Sequence, residues 1–384
     1  MSRRALLILL AVFALLGIGV LAYVWQDDAS WRKSDMRTGE KLLPAFVVND
    51  VYEIQLRDAK SQVNLVRTGD RWVLKERADF PANFTEIGDL LVKLSDLKVV
   101  QTESVAPAQL VRLDLAPPPA PGADAKAAEG TGLAVVLKAK DGKELASLVF
   151  GKKVLKKDPL NPLPAAKDGT PAGRYVWQPA RPQTVVAIGD PMSNLEVQIG
   201  RWLDRKFVKI ERIKSIAGPG WKIERSDEYE PWKLVGGGNL SPQAAGSIAA
   251  VVGNLAFEDV ATGMKPADLV KPVELTALTF DGLTYTVRAA RRGDTTEGLL
   301  TVTVAGEPIA KRPPEKNENP EMAAKRDKQF EEDRKRLLDR LAYDRLLADR
   351  VFVVSAQTAA PIILRTRADF LAKPPPPPAP GAKK

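Results

Sequence analysis

The chain has 384 residues, with 57 lysines and arginines against 48 aspartates and glutamates (net charge +9), and it contains neither cysteine nor histidine. That composition excludes Ser-His-Asp and Cys-His nucleophiles, thiolate and imidazole metal sites, disulfides and cysteine lipidation. Hydrophobic residues at 45% and aromatics at 6% suit a folded protein, and the length favours two domains.

Residues 5–24 carry no charge, a run that passes through Ala5, Leu10, Leu15, Val20 and Val24. Twenty residues at 1.5 Å each span about 30 Å, the hydrocarbon thickness of a bilayer. Tyr23 and Trp25 stand where an aromatic belt would lie, Arg3 and Arg4 precede the run, and Asp27 and Asp28 follow it. The arginines keep the N-terminus in the cytoplasm and send the rest across. The competing reading is a cleaved signal peptide, whose apolar region would be about 7–15 residues and end at a small-residue site. Leu21, Tyr23, Val24 and Trp25 are too bulky for that. Residues 1–26 are therefore expected to form a cytoplasmic tip and a single-pass anchor in the bacterial cytoplasmic membrane. Residues 27–45 read as a linker, and the remaining chain is expected in the periplasm or outside.

Beyond the linker one pattern occurs twice, over residues 46–206 and 207–373. Each copy opens with three short alternating runs, at 51–56, 63–67 and 70–74 and again at 213–216, 221–225 and 230–234. A helix signal follows. Ile87, Leu90, Leu91 and Leu94 form one apolar stripe, with Asn83 or Thr85 as its cap. Ile248, Val251, Val252 and Leu255 repeat the spacing 161 positions later, behind Ser241 and Pro242. Strand-like stretches at 98–100 and 259–261 come next, then Leu110-Val111 and Leu269-Val270. Hairpins turn at Asp141-Gly142 and Asp281-Gly282. Final strands are expected at 174–177 and 350–354, and similar closing segments at 202–206 and 369–373. Trp72 and Trp232 read as matched core anchors. The expected fold class is α+β: a transmembrane helix followed by two tandem repeats, each an antiparallel meander sheet with a packed helix. Two unrelated α+β domains sharing common elements are the alternative.

Two insertions interrupt the pattern. Residues 151–173 are rich in lysine, proline and alanine and read as a surface loop. Residues 321–350 read as one helix in which 17 of 30 residues are charged. Ala323, Phe330, Leu337 and Leu341 give it a narrow apolar stripe. Either that stripe docks the helix on its own sheet, or Phe330, Leu337 and Leu341 engage a partner protein. Residues 117–130 form a proline-rich excursion, and residues 374–384 a polyproline tail expected to be disordered.

No catalytic constellation emerges. Acidic clusters at 227–230 and 331–333 lack the Gly-punctuated spacing of a calcium loop. Gly236-Gly237-Gly238 lacks the residues of a phosphate cradle. Neither a metal nor a cofactor is implied, and an enzyme is not expected. Basic residues are interleaved with acids, without the fingerprint of a nucleic-acid reader, so no nucleic-acid partner is expected either. An envelope-polymer binding module is the alternative to a scaffold, and it would require Tyr175, Trp177 and Trp202 to be surface aromatics lining a groove between the repeats. A hydrolase using two converging acids is a third, weaker alternative.

The layout resembles a bacterial family of unknown function: single-pass envelope proteins encoded beside ABC-type transport components like those of gliding-motility systems. The resemblance rests on the uncharged leading run, on Asp70-Arg71-Trp72-Val73-Leu74 ending the first meander, and on the helix after it. It rests as well on Leu113-Asp114-Leu115-Ala116-Pro117 and Leu203-Asp204-Arg205-Lys206. It covers most of residues 1–373. Two features depart from it: Arg112 stands where members often have glycine, and the 321–350 helix looks like an addition. The resemblance implies an accessory subunit outside the membrane, partnered by the integral membrane and ATPase subunits of an ABC-type transporter, with no catalytic residues to carry over.

Overall fold

The computed structural model describes residues 36–44, 46–120, 128–156, 169–313 and 318–372. The expected anchor at 5–24, including Ala5, Leu10, Leu15, Val20 and Val24, lies outside the described residues, as does the tail at 374–384. Among the described residues no helix is long and apolar enough to cross a membrane. The chain divides into two compact units, the first ending at Asp204 and the second starting at Arg205.

In the first unit the alternating runs become strands β1 (Glu53–Arg57), β2 (Gln62–Thr68) and β3 (Arg71–Leu74), followed by the short β4 (Phe80–Pro81). Helix α1 (Phe84–Asp96) and β5 (Val99–Ser104) come next, then β6 (Leu133–Lys138), β7 (Glu144–Lys156), β8 (Thr170–Trp177) and β9 (Thr184–Ile188). They form one antiparallel sheet in the order β4-β3-β2-β1-β6-β7-β8-β9-β5. Cross-strand register puts Ile54 opposite Leu65 and Leu137, and Leu56 opposite Val63 and Val135, so period-two alternation assembles a continuous apolar face. Helix α1 is buried at Ile87, Leu90, Leu91 and Leu94, and Asn83 caps it by accepting from the Thr85 and Glu86 amides. The far half of the sheet is apolar on its second face as well. There Ala134, Val149, Trp177 and Val185 pack with Val105, Leu110 and Leu115 of the segment following β5. That segment crosses so close that a Cβ on Gly151 would lie 2.3 Å from the Leu113 carbonyl oxygen. Residues 36–42, read as linker, lie along the edge of β5, where the Gly39 amide donates to Val99 and the Val99 amide to Glu40.

The second unit holds β10 (Ile213–Gly218), β11 (Trp221–Glu224), β12 (Lys233–Leu234), helix α2 (Pro242–Gly253), β13 (Asp259–Val260), β14 (Val273–Thr279), β15 (Thr284–Arg291) and β16 (Gly298–Ala305). Helix α3 (Pro320–Leu346), β17 (Phe352–Val354) and helix α4 (Ala356–Ile363) complete it. Its sheet runs β12-β11-β10-β14-β15-β16-β17-β13, the order of the first sheet without a counterpart of β4. Ser241 caps α2 through the Ala244 amide. The backbone amide of each cap residue donates 2.8 Å to the closing segment of its own unit, Asn83 to the Trp202 carbonyl and Ser241 to that of Phe370. Leu110 and Leu269 are buried on the second face of their sheets, while Val111 and Val270 beside them are exposed.

These observations overturn the α+β expectation. The described chain is mostly sheet, nine antiparallel strands in one unit and eight in the other, with few helices. Sequence periodicity misses β9 and β16 because both are buried on two faces: four of five residues in β9 and the first five of β16 are buried, which erases the alternation that marks a half-exposed strand. The expected pairing of 174–177 with 350–354 therefore slips by one strand, since β8 holds the place of β16 and β9 that of β17. Nor is either sheet a plain meander, because the strand after the helix (β5 or β13) crosses to the far edge. Both ends of the expected loop at 151–173 are hairpin arms, β7 reaching Lys156 and β8 starting at Thr170, while 157–168 lie outside the described residues.

Candidate functional site

The second unit carries a cavity beside helix α3. Asn319 caps α3 through the Glu321 amide at 2.9 Å. Arg312 ties its start down by pairing with Glu318 at 2.7 Å and Asp327 at 3.1 Å, while Arg326 holds Glu318 from the other side at 2.9 Å. The C-terminal half docks on its own unit. Leu341 is 1% and Asp344 2% exposed, the Tyr285 hydroxyl of β15 donates to Asp344 at 3.2 Å, and the Tyr343 hydroxyl donates to the Lys206 carbonyl at 3.1 Å. Most side chains of the first three turns are exposed.

Between α3 and the Asp281-Gly282 turn lies a groove of about 580 Å³, within the usual range of ligand pockets. Pro308, Ile309, Phe330 and Leu337 supply its apolar surface, and Glu211, Arg212, Asp281, Asp333, Arg334, Arg336 and Arg340 its charges. Gly282 takes the left-handed φ of 86° that a tight hairpin turn needs, and the Asp281 carbonyl accepts from the Ile309 amide at 3.0 Å, fixing that wall. Arg340 donates to Glu211 at 2.7 Å, Arg212 pairs with Asp281 and at 2.9 Å with Glu228, and Arg336 pairs with Asp333. Arg334 lacks a carboxylate partner among the described residues and donates Nε to the Ile309 carbonyl at 3.2 Å.

Two carboxyl groups here shift in opposite directions. The hydrogen bond from Arg340 holds Glu211 below the ordinary carboxylate range. Burial pushes Asp344 above it, against the hydrogen bond from Tyr285 and the charge of Arg340. Asp344 Oδ1 and Arg340 Nε are buried without a hydrogen-bond partner. The Tyr285 hydroxyl is itself pushed far above its ordinary value, first by burial and then by the Asp344 charge.

The expected contact stripe is thus divided. Leu341 belongs to the core, whereas Phe330 and Leu337 are half-buried and line the groove. Sequence reasoning missed Arg334, Arg340 and Asp344. Arg334 stands four residues after Phe330, so the helical period could have placed it beside the stripe. Nothing in sequence joins Asp344 to Tyr285, 59 positions away.

The aromatic residues proposed for polymer binding form no exposed platform. Trp177 and Trp202 are 8% and 1% exposed, and their indole N–H groups donate to the Pro182 and Glu196 carbonyls at 3.1 and 3.0 Å. Tyr175 is half-buried beside Trp177. Of the matched tryptophans Trp72 is a core residue, but Trp232 is only half-buried, with Arg225 4.8 Å over its ring. Trp221, packed at a tilt with its ring 4.5 Å from that of Phe370, takes the core role in the second unit. Among the described residues no three acidic side chains stand close enough to hold a metal ion. No family model, curated protein or solved structure matches the chain.

Proposed function

We propose that this protein is a non-enzymatic accessory or scaffold subunit, tethered by residues 5–24 to the bacterial cytoplasmic membrane, with its two sheet units outside. On this reading it works with the integral membrane and ATPase subunits of an ABC-type transporter. The observation that carries the reading is helix α3: 27 residues, pinned at its start by Arg312 and docked at its end by Leu341, with an exposed and densely charged surface between. A helix held at both ends presents that surface without the ordering cost a free arm would incur on binding. The uncharged run and its flanking arginines support the membrane side of the reading. Burial of Trp177 and Trp202 removes the support that the polymer-binding alternative required.

Mild-detergent extraction of the tagged full chain, followed by mass spectrometry, tests the proposal. It expects transporter membrane and ATPase subunits in stoichiometric amount, and their loss when Lys325 and Lys328, both exposed on the first three turns of α3, are replaced by Glu. Recovery of the chain alone would overturn it.

A further inference from the structure

The groove beside α3 has a charge balance that selects a ligand, whether or not the chain works with a transporter. Of the charged groups on its wall, Glu211 is matched by Arg340, Asp281 by Arg212 and Asp333 by Arg336. One cation is left over. Among the described residues Arg334 commits only Nε, to the Ile309 carbonyl, so the remaining donors of its guanidinium fork stay available there at the wall of the cavity. Next to it are the apolar surfaces of Phe330, Leu337, Ile309 and Pro308. A ligand that fits must bring one negative charge and an apolar body. A peptide would add an amide per residue, each needing a partner that the already paired wall groups do not offer. An aliphatic chain makes no such demand.

We propose that this groove binds a single-chain aliphatic carboxylate, a fatty acid, with its carboxylate on the Arg334 fork and its chain along Phe330, Leu337 and Ile309. A planar carboxylate accepts two parallel hydrogen bonds from a guanidinium, and this geometry distinguishes it from an alcohol of equal length.

The test is photo-crosslinking of the full chain in lipid nanodiscs with a diazirine-bearing decanoic acid, followed by peptide mapping. Nanodiscs avoid detergent monomers that would compete for the groove, and mapping separates groove label from bilayer label. The expected result is label on the peptides containing Phe330 and Leu337, displaced by decanoic acid at about one-tenth the concentration of decanol needed. Arg334→Gln lowers the groove label about tenfold, and Arg334→Lys, which keeps the charge but loses the fork, lowers it by less. Label absent from those peptides, equal displacement by decanol, or equal loss in both variants would each overturn the proposal.

Discussion

Asp344 shows how a single side chain ties the long helix to its sheet. It is buried, one of its oxygens lacks a partner, and burial raises its pKa above the ordinary carboxylate value. A raised value means that ionisation is harder folded than unfolded, so the stabilising contribution is complete at low pH and is lost as pH rises through the folded value. Replacing Asp344 by Asn removes that loss. Thermal melts should show the variant gaining on the natural protein as pH goes from 4 to 7; a constant gap contradicts the assignment. Glu211, held low by Arg340, behaves in the opposite sense: its contribution is present at neutral pH and lost as pH falls through its folded value, so Glu211→Gln costs stability at pH 7 and not below that value. Tyr285→Phe strips from Asp344 the one side-chain hydrogen bond it has among the described residues and should cost about 1–2 kcal/mol in urea unfolding. None of these contacts was legible in sequence, because tertiary pairing over 59 or 129 positions leaves no periodic trace.

Among the elements, those with a local rule were readable and those fixed by two-sided burial were not. Helix α1 was legible from its stripe and from Asn83. Helix α2 was placed correctly but matched to α1 in the wrong register: aligned by their caps, Ser241 stands 158 positions after Asn83, not 161. In that frame Ala245, Ile248, Val252 and Leu255 take the buried places of Ile87, Leu90, Leu94 and Leu97. Ala245 escaped notice because a small buried residue adds little to an apolar stripe. Asn83→Ala and Ser241→Ala should each lower stability by about 1 kcal/mol. Gly151→Ala drives a methyl group into the Leu113 carbonyl and should cost about 1–3 kcal/mol, read as a lower urea midpoint. Within α3, Leu341→Ala should cost about 2–4 kcal/mol, whereas Phe330→Ala in the open groove should cost markedly less. Equal losses would mean that the two ends of the helix are anchored alike.

At the scale of the whole molecule the same strand order is laid out twice, and each layout closes through a backbone hydrogen bond from its helix cap to its final segment. Each unit therefore contains the contacts that complete its own core. A fragment of residues 36–204 should fold alone, with a β-type far-ultraviolet spectrum and a cooperative melt. A random-coil spectrum would show that the first unit needs the second. Composition excludes histidine and cysteine chemistry but is a poor guide to fold class, since a chain without histidine or cysteine still leaves sheet content open.

That same composition makes the decisive measurement clean. With no natural cysteine, a single Tyr229→Cys at a side chain 95% exposed is the one thiol in the protein. A membrane-impermeant maleimide applied to spheroplasts should label it to completion before lysis. If the thiol reacts only after the membrane is broken, the sheet units lie in the cytoplasm and the tethered scaffold outside the membrane is contradicted.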